Sequence, residues 1–180
     1  MGAELKLIIL GGAVLLSLIA GWTDLRSRRI PNWLTVPGAA VGIALNTVLN
    51  GKAGLKASLL GMLLGLGLLL PFVLLNSLGA GDWKFAGALG AFTGPAALID
   101  VLIASVFVAG AMALVLVIYH RRLMETLRNI GHILVSLVTF RLPGTHVTLD
   151  NPNALKIPKG VALAITVVLY SAAVALKVVQ

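Results

Sequence analysis

The chain has 180 residues, 59% of them apolar and 11% charged, with a mean hydropathy of +1.03 and a net charge of +8. Soluble globular domains carry about 25% charged residues, so the composition lies far outside that class. The lack of cysteine excludes disulfides, cysteine-based zinc sites and thiol nucleophiles. Basic residues without aromatic interleaving argue against nucleic acid and for cytoplasmic loops and anionic lipid contacts.

In chain order, long charge-free runs predict an all-α, polytopic integral membrane protein with about six transmembrane helices, since a helix crosses the hydrocarbon in roughly 17–25 apolar residues. Nothing alternates with period two, as a barrel would require. The expected spans are residues 5–22, 33–50 (Pro37 in its opening turn), 55–78 after a "GKAGLK" turn, a short 82–92 ended by "TGP", 96–119 and 157–177. The first reads as a retained helix rather than a signal peptide, with its N-terminus outside the cell, because the basic cluster Arg26, Arg28 and Arg29 follows the apolar stretch. Residues 120–156 read as a cytoplasmic interfacial amphipathic helix, with Leu123, Leu127, Ile130, Leu134 and Leu137 at helical spacing, followed by a polar loop. The whole chain, 1–180, reads as a single membrane-embedded domain. Ten basic residues fall on the side of Arg26 and Lys84 and four (Lys6, Lys52, Lys56, Lys177) on the other, so the first side is expected to be cytoplasmic.

This topology brings two acids together. Asp24 ends the first span and Asp82 opens the fourth; with two complete spans between them, both emerge on one side. Ionisable groups at membrane depth are costly and tend to be functional. Two adjoining carboxyls suit general acid–base hydrolysis, one ionised to activate a water and the other protonated to polarise a carbonyl. The same positions also suit solvated span ends, and Asp82 sits where a helix N-cap would help. Gly79 and Gly81 allow a sharp bend or a close approach of another chain, and equally an ordinary turn.

At these residues the sequence resembles a known family. "GAGDWK" (79–84) resembles the G-x-G-D motif of intramembrane aspartyl proteases, and "DLRSRRIPN" (24–32) the D-x-R-x-x-x-I-P-N segment of prepilin peptidases. "KFAGALGAFTGP" (84–95) is similar to the stretch after the second aspartate in that family. The short chain resembles the compact Tad/CpaA-type branch that serves Flp pili. The resemblance implies that Asp24 and Asp82 are the catalytic pair, that Gly79 and Gly81 shape the second motif, and that the activity removes the basic leader of prepilins at the cytoplasmic face. It implies no cofactor, and cleavage without N-methylation, since the cysteine motif of larger relatives is absent. The implied partners are a prepilin or pseudopilin helix and membrane lipids, not nucleic acid; a homo-oligomer stays open. "IPKGVALAI" (157–165) is similar to a family segment that usually has tyrosine after the proline, where this chain has Lys159.

Other residues keep two readings. Lys84 either acts on the Asp82 carboxyl or the substrate carbonyl, or is a positive-inside anchor. Arg26, Arg28 and Arg29 suit lipid headgroups more than substrate, and Pro31 and Asn32 suit the turn that positions Asp24. Asp100 falls on the opposite side, where it suits a helix dipole. "GMLLG" (61–65) and "GAFTG" (90–94) suit close helix packing. His120, His132 and His146 lack metal-ligand spacing. The rival functions are a proton-coupled small transporter and a non-catalytic pilus-assembly subunit.

Overall fold

A computed structural model describes residues 3–75, 78–121 and 159–179, with positions 123, 124, 126, 128 and 131. The described residues are all-α, without a strand, in four helices: α1 Ala3–Ser27, α2 Asn32–Leu74, α3 Ala80–Tyr119 and α4 Lys159–Val179. All four are long and apolar enough to cross a membrane, with mean hydropathy between 1.9 and 2.9. Leu15, Val48, Leu63 and Phe107 are each at least 60% exposed, an outer surface that suits lipid rather than water. Most of the expected interfacial helix and its loop, with His132 and His146, lies outside the described residues.

Contacts divide the chain into two compact units, residues 1–109 with 158–180, and residues 110–157. In the second, the described part is chiefly the end of α3, where the Tyr119 and His120 rings meet edge-on at 5.4 Å. The first contains the core and both aspartates.

Where the sequence suggests six spans, the described residues form four long helices, two of them broken internally. As a straight rod, α2 with its 43 residues would run about 65 Å, twice the roughly 30 Å of hydrocarbon. It is not straight. Gly51 has φ 58° and ψ −143°, a conformation open to glycine. On either side of it, Asn46 Nδ2 and Ser58 Oγ both donate to the Ala91 carbonyl, at 3.0 and 2.7 Å. In an unbroken helix those residues stand about 18 Å apart, so α2 doubles back at Gly51. Similarly, α3 breaks at Gly94, with φ 73° and ψ 175°. Beyond the break, Leu98 packs 2.9 Å from where a Cβ on Gly90 would stand, although eight helical residues span about 12 Å. The expected turns at "GKAGLK" and "TGP" fall at these two reversals.

The second break creates a polar debt inside an apolar bundle. Pro95 has no N–H to return to the Ala91 carbonyl, four residues earlier. Asn46 and Ser58 supply the missing donors, and Asn46 also reaches the Phe92 carbonyl at 2.9 Å. Both side chains are buried, so water is not an alternative. We therefore expect Asn46→Leu, which leaves Ser58 on Ala91 but strips the Phe92 carbonyl of its donor, to destabilise the fold by about 1–3 kcal/mol, as measured by unfolding in detergent micelles. An unchanged transition would contradict this account.

The stretch from Phe85 to Phe92 is buried all round and forms the centre of the unit. Phe85, Leu89 and Phe92 fill its core with Ile9, Leu16, Leu34, Leu98 and Val167. As "GMLLG" suggested, Gly61 lies against the Gly90 backbone and Gly65 against that of Ala86, so small residues let the two arms approach closely. In "GAFTG", Gly90 serves that packing, but Gly94 is the reversal instead. On the other flank, α1 and α4 pack together, with Gly21 facing the Ala164 methyl.

Two element boundaries near the aspartates differ from expectation. The first helix runs to Ser27 instead of residue 22, with the Thr23 and Ser27 hydroxyls turned back onto the carbonyls of Ala20 and Thr23 at 2.9 and 2.7 Å. Asp24 therefore sits inside the last turns of α1. Nor is Asp82 an N-cap. It is the third residue of α3, and the Gly79 carbonyl receives the first helical N–H, from Trp83 at 3.1 Å.

Candidate active site

The last turns of α1 carry Asp24 on their inner face, where it is 6% exposed. The helix then stops. Arg28 adopts a left-handed φ of 51° and donates its N–H to the Asp24 carbonyl at 2.7 Å, a local closure common at helix ends. The chain reverses through Arg29 and Ile30 to Pro31, whose extended backbone (φ −76°, ψ 150°) starts α2 and whose carbonyl accepts the N–H of Leu34 at 3.1 Å. Pro31 and Asn32 thus stand where the turn after Asp24 passes into α2.

The second motif lies on this turn. A Cβ at Gly81 would stand 2.9 Å from the Ile30 carbonyl oxygen and 3.2 Å from its nitrogen. Only a residue without a side chain lets the first turn of α3 rest on the first motif's backbone. Two further contacts hold α3 there. The Trp83 indole donates to the Leu66 carbonyl at 2.7 Å, and Lys84 Nζ donates to Asn32 Oδ1 at 3.0 Å. Of the roles weighed for Lys84, the geometry gives another: it ties the second motif to the first through Asn32.

Asp24 and Asp82 consequently face one pocket of about 270 Å³, lined also by Arg28, Arg29, Ile30, Gly79, Ala80 and Gly81. That is room for several waters, each occupying about 30 Å³ in the liquid, or a short stretch of extended peptide. The two carboxyls are near enough to interact electrostatically. Arg28 acts on Asp24, and Lys159 on Asp82. Arg26 stands apart: it borders a different cavity with Trp22 and Leu25, so Arg28 and Arg29 are the arginines that line the pocket. Among the described residues, no group of three or more His, Cys, Asp or Glu is placed to hold a metal ion.

The third element of the site is one to which sequence reasoning gave no weight. Val161 in the first turn of α4 donates its backbone N–H to Asp24 Oδ2 at 3.2 Å, and the Gly160 N–H contributes as well. "IPKGVALAI" held the signal, in a glycine just after the proline, but a backbone donor has no side-chain signature.

Chemically, two carboxyls at one pocket can divide the work of hydrolysis. A carboxylate takes a proton from water as the water attacks a carbonyl, while a carboxylic acid protonates the carbonyl oxygen. No curated protein and no solved structure matches the chain. A profile of the type IV leader peptidase family matches residues 12–114, a segment that contains both aspartate motifs and the turns that join them. Since that match covers more than half of the 180 residues, the chain belongs to the type IV leader peptidase family.

Proposed function

We propose that this protein is a membrane aspartyl endopeptidase that removes the leader of type IV or Flp-type prepilins, with Asp24 and Asp82 as its catalytic pair. The observation that carries the reading is the shared pocket: two acids 58 positions apart in the chain line one cavity at one end of the helices. One aspartate, ionised, deprotonates the attacking water. The other, protonated, donates to the carbonyl oxygen, giving a tetrahedral diol. On collapse the C–N bond breaks, the leaving amine takes a proton from the first aspartate, and the second aspartate takes back a proton from a diol hydroxyl, which restores the pair. The pair titrates jointly, so the acid and base are properties of the dyad.

The reversals at Gly51 and Gly94 support a six-crossing topology, with α2 and α3 each a pair of spans. The bias of basic residues supports a cytoplasmic active site in a bacterial inner membrane. The substrate is a single-span helix whose basic leader reaches that interface, where a few residues unwind and expose the scissile carbonyl. Cleavage proceeds without methylation or cofactor. A proton-coupled transporter fits less well, because transporter sites lie near the midplane and this pair lies at the helix ends.

The test is to incubate the purified protein in micelles with a single-span substrate bearing a basic leader before an apolar helix. Peptide mass analysis is expected to find one cut between leader and helix. An uncut substrate, across candidate prepilins, would reject the proposal.

A further inference from the structure

The family profile ends at residue 114, and α4 begins at Lys159, yet α4 reaches the candidate site. Its first turn lies directly against Asp24. A Cβ on Gly160 would stand 2.9 Å from Asp24 Oδ2, 3.1 Å from Asp24 Cβ and 2.8 Å from Ile30 Cδ1. No larger residue lets the helix start approach so closely. The approach places the Val161 N–H 3.2 Å from Oδ2. Early N–H groups of a helix have no intrahelical acceptor, so Asp24 satisfies a donor that α4 leaves open, and the helix in turn fixes the carboxyl's direction. The Val161 bond is made to Oδ2.

We propose that Gly160 and the Val161 amide are positioning groups for the reaction: they pin Asp24 through Oδ2 and leave Oδ1 free for the water shared with Asp82. The inference rests on the proposed peptidase reading of the pair. Neither group touches substrate. Their effect is on the angle at which Asp24 meets the water, and a small misplacement of a reacting group costs much in rate. Lys159, in the same turn, acts on Asp82 electrostatically, so a single helix start addresses both members of the pair.

The deciding comparison is between two substitutions at one position. Val161→Ala trims the side chain and keeps the N–H. Val161→Pro deletes the N–H, in the first turn of α4, where that N–H has no intrahelical acceptor to lose. Steady-state cleavage of the leader-bearing single-span substrate in micelles should show kcat for Val161→Ala within about threefold of wild type. For Val161→Pro it should fall roughly ten- to hundredfold, the range for a lost hydrogen bond to a charged group, with KM nearly unchanged. Gly160→Ala should likewise lower kcat and spare KM, while Gly67→Ala, at a position with open space around it, should leave both as they are. Equal kcat for Val161→Ala and Val161→Pro would overturn the inference while leaving the peptidase reading intact. So would losses that fall on KM alone. A wild-type protein that does not cleave would instead defeat the reading beneath it.

Discussion

Replacing either aspartate by asparagine, as Asp24→Asn or Asp82→Asn, is expected to lower leader cleavage by about 10²–10⁴, the usual contribution of a positioned acid or base. Asparagine keeps the size and much of the hydrogen bonding of the side chain but neither takes nor gives a proton at working pH. In Asp24→Asn, the amide oxygen can still accept the Val161 N–H. Packing should therefore survive, and the unfolding transition in micelles should move little. The double variant should be no worse than the poorer single one, because the pair acts as a unit and its losses do not add. If both single variants cleave at the wild-type rate, the pair is not the catalyst. If the losses multiply in the double variant, the two residues act separately.

The second large effect concerns the seam between the motifs. Gly81→Val should reduce kcat by about a hundredfold or more, the penalty for moving a catalytic group by about 1 Å. A side chain there meets the Ile30 backbone at 2.9 Å from its oxygen, and backbone cannot rotate away as a side chain can. The first turn of α3 must lift, taking Asp82 from Asp24. Gly79→Ala should be far milder, since its Cβ would meet only the Asp82 carboxyl oxygen, at 3.4 Å. A ranking of the two by kcat checks the claim, and equal effects would refute it.

Much of this was legible before any coordinates. Long charge-free runs announce membrane helices, and the expectation that Asp24 and Asp82 face one side agrees with the single pocket that both line. The turns at Gly51 and Gly94 are marked by glycine, lysine and proline in otherwise apolar sequence. Less was visible where the physics works through backbone. Neither the Val161 amide nor the Ile30 carbonyl leaves a trace in residue type, so the contribution of α4 went unseen, as did the identity of the backbone that Gly81 approaches. Asn46 and Ser58 look like incidental polar residues within apolar runs, because the carbonyl they satisfy is orphaned by a proline in a different helix. Lys84 is a further case. A lysine two residues after an aspartate invites an electrostatic reading, and only the fold reveals that its amine is held by Asn32.

The anchoring of Asp24 has a consequence for biosynthesis. Its carboxyl and the amide that orients it are separated by 137 positions, and a ribosome adding about 5–20 residues per second takes on the order of ten seconds to cover that interval. In the later part of that time the nascent chain carries both acids but not yet α4, which holds one of them. The contact of α4 with Asp24 can therefore form only after residue 161 has been made, so this wall of the pocket is added late in synthesis.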